Sequence, residues 1–268
     1  MVTYNHARYV AKAIESALMQ RTRFPIEIVI GEDGSTDGTG AIVESYQRAH
    51  PDRVRARVRE RNVGVHRNAL ETLAACRGEF IAILEGDDYW TSPDKLQRQV
   101  DLLDAHPEAS LCFHQALVVD GDGDGTRIVP DARDGPFDLA ALFRRNFVPT
   151  PSMVYRRASF EGFPPWYPEI GAADWLLLIL LGRRGTFAFI PEALCAHRQL
   201  RPGSWSAQSV VRRIEATAPM FRYLQDVLDP PYRALARRSH LRFRAWLLAE
   251  RLTGGRFQRT YRRLRGRA

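Results

Sequence analysis

Five carboxylates stand in two short stretches: Glu32-Asp33 in IEIVIGEDGSTDGT, and Glu85, Asp87 and Asp88 in FIAILEGDDYW. Each group follows directly on an aliphatic run. Neighbouring carboxylates at a strand end repel one another unless a cation or hydrogen-bond donors offset the repulsion. A hard divalent ion suits such a site, because one or two carboxylates can hold it while substrate phosphates complete its shell. The alternative is that Asp87 and Asp88 cap the next helix. Asp94, after Pro93, already stands at that start.

The elements around these groups read as alternating strands and helices. Val2-Thr3-Tyr4 reads as the end of a first strand, and Ala7 to Gln20 has helical spacing with Val10, Ile14 and Leu18 on one stripe. Ile26 to Ile30 is a second strand. Ser35, Thr36 and Asp37 follow it as capping residues for a helix over 40–49. Val54 to Val58 is a third strand, Arg67 to Cys76 a helix, and Phe80 to Leu84 a fourth strand, buried on both faces. This βαβαβαβ order predicts an open, mainly parallel sheet with helices on both faces. In such sheets ligands bind at the carboxyl ends of the strands, where both acidic groups fall. Further on, the pattern predicts a helix over Lys95 to Ala105, strands over Ser110 to Val119 and Thr126 to Val129, and a loop-rich stretch from Pro130 to Pro168. An apolar helix over Asp174 to Leu181 and a short strand over Phe187 to Ile190 come next. The remainder is helical from about Ser209, broken at Asp229-Pro230-Pro231 and Gly254-Gly255.

Composition narrows the class. The chain has 268 residues and a formal net charge of +8, held unevenly. From Ser206 onward there are 15 Arg and no Lys against 4 acidic residues, while the preceding 205 residues carry a net −3. The longest apolar run, near Trp175 to Leu181, is well short of the roughly 20 residues of a membrane span. The first residues, MVTYNHARYV, have no apolar signal-peptide core. Cys76, Cys112 and Cys195 are scattered and form no CxxC pair, which points to a reducing, cytoplasmic setting.

Four segments, VTYNH, EIVIGEDGSTDGT, RNVGVHRN and GEFIAILEGDDYW, together resemble the family 2 glycosyltransferases of the GT-A fold, over roughly residues 1 to 205. The resemblance implies a nucleoside-diphosphate sugar donor and a divalent cofactor, Mn²⁺ or Mg²⁺. Tyr4 would then lie against the nucleotide base, with Thr3 shaping that pocket. Asp33 would accept a hydrogen bond there, with Glu32 beside it, and Asn62 and Arg67 would make further donor contacts. Asp87 and Asp88 match the family's acidic metal motif: Asp87 would approach the ribose and share the metal, and Asp88 would coordinate it against the diphosphate. Glu85 would hold the sugar or a metal-bound water.

Such a reaction needs a cation to neutralise the leaving diphosphate and a carboxylate to take the acceptor's proton. Asp174 in IGAADWLLL matches the family's position for an inverting base. The alternative is that Asp174 only caps its helix, and the two roles are compatible because a helix N-terminus favours the ionised form. Ser152, Arg156 and Arg157 resemble the acceptor-side segment. Where relatives carry YRxH, this chain has HRQL, so Leu200 stands in the place of a histidine that can serve the metal or diphosphate. His197 is then the alternative ligand from the same segment.

Other readings compete. DGDGDGTRIVPD spaces Asp120, Asp122 and Asp124 like a calcium loop, but its flanks read as strands and position 12 is Asp131, not Glu, which favours a plain hairpin. The arginine-rich end mixes Arg with aromatics as RNA-binding segments do. Yet Leu241, Ala245, Leu248 and Leu252 share one helical stripe, the pattern of a helix on an anionic membrane or docked on its own domain. A catalytically silent nucleotide-sugar-binding module is a third reading, and the intact Asp87, Asp88 and Asp174 weigh against it. The expectation is therefore an α/β GT-A (Rossmann-like) domain over 1–205 with a basic helical extension over 206–268. Its function would be inverting, metal-dependent transfer from a nucleoside-diphosphate sugar, a UDP-sugar first, to a glycan or lipid-linked acceptor in bacterial polysaccharide or lipopolysaccharide synthesis. It would work in the cytoplasm, peripheral to the membrane's inner face, with nucleic acid not expected as a partner.

Overall fold

The computed structural model describes residues 1–120, 125–199 and 205–253. The chain opens β1 (Val2–Thr3), α1 (Val10–Leu18), β2 (Ile28–Glu32), α2 (Thr39–Ala49), β3 (Val54–Val58) and α3 (Val65–Ala74). The three strands form a parallel sheet in the order β1-β2-β3, with Val2 opposite Gly31 and Ile28 opposite Val54. All five residues of β2 are buried, as a central strand covered on both faces requires.

The second half comprises β4 (Phe80–Ala82), β5 (Tyr89–Trp90), α4 (Lys95–Ala105), β6 (Ala109–Val119), β7 (Gly125–Val129), α5 (Leu139–Leu142), β8 (Val154–Arg156), α6 (Ala173–Gly182), β9 (Thr186–Arg198), α7 (Val210–Val227) and α8 (Pro230–Leu252). Its sheet runs β4-β8-β6-β9-β5, with β7 hairpinned on β6. Within it only β6 and β9 are parallel. The fold is thus α/β as expected, parallel in its first half and mixed in its second. Aliphatic runs report burial and not the direction of a neighbour, so this reversal is invisible in sequence. The DGDGDG tip, residues 121–124, lies outside the described residues, and its flanks are the strands of a hairpin.

Two elements depart from expectation in ways that matter for the site. The Phe80 to Leu84 strand is shorter, and it pairs antiparallel with β8 on one edge. Toward β2 it borders a cavity of about 680 Å³ lined by Ile26, Ile28, Ile81, Ala82 and Trp90, which holds none of the acidic triad. The two sheets join instead through a parallel bridge between Val2 and Glu85. The strand expected over Phe187 to Ile190 runs on to Arg198. Pro191 and Glu192 are exposed where the register with β6 shifts, between His114–Ile190 and Gln115–Ala193. Proline lacks a ladder donor and is tolerated at such an irregularity, so a residue that reads as a strand end is only a bulge.

The core has two clusters. One gathers Val10, Ile14, Ile30, Trp90 and Leu103. The other gathers Leu111, Phe113 and Leu176 with Met220, Phe221 and Leu224 of α7 and Ala236 of α8. The C-terminal helices therefore share a core with the rest, and the expected boundary near residue 205 divides chain segments, not hydrophobic interiors. At the start of α4, Asp94 makes no side-chain cap, contrary to the sequence reading; Gln20 Oε1 accepts from the Leu96 N–H at 3.1 Å instead.

Lys95 is fully buried in α4, donating to Gln99 Oε1 at 2.7 Å with its Nζ 4.3 Å above the Trp90 ring. Burial pushes its pKa down to about 7. Above that value the folded chain lacks a proton that the unfolded chain retains up to about pH 10.4, so this lysine makes stability rise with pH. From pH 7 to about 8.5, below the cysteine titrations, the rise amounts to about 2 kcal/mol. Denaturant melts of wild type and Lys95→Met across that range should show a steeper rise in the first than in the second, where only the buried N-terminal amine of Met1, also lowered by burial, still contributes.

Candidate active site

The loop after β1 and the turn after β2 are stitched together by side chains. Asn5 takes the left-handed φ of 53°, which asparagine tolerates better than bulkier residues. Its Oδ1 accepts from the Thr36 N–H at 2.9 Å, and its own N–H donates to Ser35 Oγ at 2.9 Å. Asp37 accepts from the N–H groups of Ala7 and Thr39. Gly34 has φ +69°, and a Cβ there would lie 2.4 Å from the Arg61 carbonyl carbon. Asp33, 2 % exposed, receives the Val63 and Gly64 N–H groups at 2.9 and 3.1 Å, tying this turn to the start of α3.

Along this rim the expected donor residues divide. Tyr4 is 43 % exposed, next to the buried Thr3. Asn62 accepts from the Gly64 N–H at 2.9 Å in the same turn. Glu32 engages both oxygens in its own turn, accepting from the N–H groups of Gly34 and Ser35, and is 1 % exposed. Arg67 likewise faces outward, its Nε donating to Glu71 at 2.7 Å with a side chain 68 % exposed.

Glu85, Asp87 and Asp88 converge. Each offers a carboxylate oxygen, and the three oxygens lie within 4.8 Å of one another, the only such grouping of potential metal ligands among the described residues. Burial first, then the charges of Asp87 and Glu85, push the Asp88 carboxyl well above the usual carboxylate range. Its Oδ1 accepts from the Arg198 N–H at 2.6 Å, while its Oδ2 is buried without a hydrogen-bond partner. An orphaned, solvent-shielded carboxylate oxygen beside two more carboxylates fits a hard divalent cation.

Gly86 makes the cluster possible. Its N–H donates to the Val2 carbonyl at 3.0 Å, and a Cβ there would stand 2.4 Å from Thr3 Oγ1 and 2.8 Å from His6 Nδ1. Gly86→Ala should lower the melting temperature by several degrees, a cost of about 1–3 kcal/mol for overpacking. It should also weaken metal-dependent ligand binding, because relief of the clash moves Asp87 and Asp88. Calorimetry with and without Mn²⁺ checks both.

Sequence reasoning missed Arg198. Buried, it donates from Nε to the Asp87 carbonyl and from Nη1 to the Asp120 carbonyl, both at 2.9 Å. Its guanidinium sits 4.5 Å over the Tyr9 ring. It thus fixes the backbone of the acidic turn while its positive charge moderates the cluster. The HR of HRQL was the available signal, and the length of β9 is what delivers it. His197 precedes it but stays outside the carboxylate grouping; its Nδ1 lies 3.4 Å from Gln199 Nε2, and burial lowers the imidazole's pKa, with Asp87 opposing. Leu200 lies outside the described residues.

Asp174 occupies the first turn of α6. Desolvation pushes its carboxyl up, against hydrogen bonds from the Trp175 N–H, Asn146 and Thr150; the Asn146 amide donates to Oδ2 at 2.9 Å. The turn Thr150–Ser152 links this residue to the acidic cluster. Thr150 reaches Asp174, while the next carbonyl, of Pro151, accepts from the Trp90 indole at 2.9 Å, two residues after Asp88. Ser152 and Arg156, expected on the acceptor side, turn inward instead. Ser152 donates to the Pro149 carbonyl and Arg156 to the Leu103 carbonyl, both at 2.6 Å. Arg157 opens a short 3-10 turn after β8.

The model of the family described as Glycosyl transferase family 2 matches residues 1–162. An uncharacterized protein of Mycobacterium tuberculosis, Rv1520, is 38% identical over 214 residues, covering 79% of this chain and 61% of that protein. The chain therefore spans about three-fifths of that relative's length. Among solved structures, S. aureus TarS 1-349 in complex with UDP-GlcNAc superposes with a TM-score of 0.67 at 20% identity, covering 90% of this chain and 69% of that one. The mannosyltransferase PcManGT of Pyrobaculum calidifontis, in complex with GDP-Man and Mn²⁺, superposes at 0.62 and 20% identity, covering 94% and 73%. At that identity these neighbours show the shared fold, the GT-A architecture. By its sequence match over more than half its length, the chain belongs to glycosyl transferase family 2.

Proposed function

We propose that the protein transfers a sugar from a nucleoside-diphosphate donor to a hydroxyl acceptor with inversion, in the assembly of a bacterial glycan or lipid-linked glycan. The observation that carries this reading is the unpartnered, buried Oδ2 of Asp88 within the Glu85, Asp87 and Asp88 cluster. In this reading Asp88 and Asp87, with Glu85 at their side, hold Mn²⁺ or Mg²⁺. That ion, when bound, neutralises the charge of the departing diphosphate. Tyr4 covers the base over the Thr3 and Asp33 pocket. Arg198 keeps Asp88 aimed into the site. Asp174, its pKa raised by burial, takes the acceptor's proton in its ionised form, and Asn146 and Thr150 orient it.

The donors bound to TarS and PcManGT, UDP-GlcNAc and GDP-Man, support a nucleotide-sugar substrate; a UDP-sugar is the first to test. A relative named for succinoglycan biosynthesis in Rhizobium meliloti supports a polysaccharide setting, and a putative glycosyltransferase of Bacillus subtilis, EpsE, supports the transfer chemistry. We propose a cytoplasmic setting on the three free, scattered cysteines, which suit a reducing compartment. No helix among the described residues is long and apolar enough to cross a membrane. A thermal-shift panel of UDP-, GDP- and dTDP-sugars, each with and without Mn²⁺, tests the reading. Stabilisation by one nucleotide class that needs the metal is expected, since ligands that bind only the folded state stabilise it by mass action. No shift with any pair contradicts it.

A further inference from the structure

The arginine-rich end of the chain is not absorbed by the transfer chemistry. α8 buries one side against the core, through Ala236 and through Ser239, whose hydroxyl donates to the Phe143 carbonyl. Its aromatic Phe243 also turns inward, 5.4 Å from Phe221 and 6.4 Å from Trp175. The opposite side carries Leu241, Leu248 and Leu252, exposed at 53%, 59% and 78%. At spacings of seven and four these three share a stripe that faces away from the domain on which the helix is docked. Arg237 and Arg244 flank the stripe on one side and Arg238 on the other, all exposed. Beyond α8 the sequence adds six arginines and no acidic residue over 254–268.

We propose that this outer face of α8 docks on an anionic lipid surface. Leucines that enter the acyl boundary gain apolar burial, and flanking arginines can lay their stems along that boundary while their guanidinium groups meet lipid phosphates. A nucleic-acid partner suits the face less well. Phosphate contacts make no use of a leucine stripe, and the ring that stacking on bases would require, Phe243, is packed inside. The docking itself stands independently of the transfer reaction.

Vesicle flotation of the full chain tests it, with phosphatidylcholine alone against phosphatidylcholine mixed with phosphatidylglycerol, at low and high salt. Binding is expected only to the anionic vesicles, and salt should release it. Leu241→Glu with Leu248→Glu should weaken it about tenfold or more, with the melting temperature unchanged because both positions are exposed. Arg237→Ala with Arg238→Ala, also exposed, should reduce it and flatten the salt dependence. Failure to bind anionic vesicles, or binding that survives the double leucine change, overturns the proposal. So does retention on single-stranded RNA, or a dimer that the leucine change dissolves, if either occurs without vesicle binding.

Discussion

Asp174→Asn is expected to lower turnover by about a thousandfold or more while donor binding stays within a few-fold of wild type. The amide keeps an oxygen that can accept from Asn146 at the start of α6 but cannot accept the acceptor's proton. Stability should move the other way. Desolvation raises this carboxyl, so the stability it lends is present at low pH and lost as pH rises through the raised value. At neutral pH the ionised form is the costly one, and the uncharged amide should melt no lower than wild type. For the same reason the acid limb of the turnover profile should lie above the usual aspartate range and vanish in the variant. Steady-state rates with pH, beside thermal melts, separate this from a general structural defect, which would lower rate and stability together.

Asp88→Asn is the second large effect, and it acts at a different step. Oδ2 is buried with no protein partner and Oδ1 already takes the Arg198 N–H, so the side chain faces inward ready to ligate. An amide in its place keeps the Arg198 contact but supplies a neutral oxygen or a nitrogen donor toward a cation. Metal-dependent nucleotide stabilisation should disappear, and turnover should fall by about three orders of magnitude, since charge neutralisation at the leaving group is worth several kcal/mol. The unliganded variant should be no less stable than wild type, because it loses a carboxyl whose ionisation burial and the charges of Asp87 and Glu85 oppose. Isothermal titration with nucleotide, with and without Mn²⁺, reads the first effect directly.

The features legible in sequence were those written locally. Asp37, read as a cap for the helix that follows, does accept from the Thr39 N–H at that helix's start, and its turn builds the rim. Glu85, Asp87 and Asp88 follow a strand closely enough that a shared site was foreseeable, and the structure brings their oxygens together. What was not legible is long-range. Arg198 reaches Asp88 across 110 positions, on a strand whose continuation was hidden by Pro191. The contacts of Asp174 come from Asn146 and Thr150, far back in a segment that reads as loop. Glu32 looked available because sequence does not show that the next turn folds back onto it. The leucine stripe of α8 was readable, but which way it faces depends on the packing of Ser239 and Phe243.

The most direct measurement is anomalous diffraction from crystals soaked with Mn²⁺ and the nucleoside diphosphate chosen by the shift panel. One manganese peak is expected within coordination distance of Asp88 Oδ2, with Asp87 or Glu85 sharing it and the diphosphate on its far side. A nucleotide bound with no manganese at the triad, or a manganese bound elsewhere in the molecule, would contradict the assignment of this acidic turn to metal and diphosphate binding.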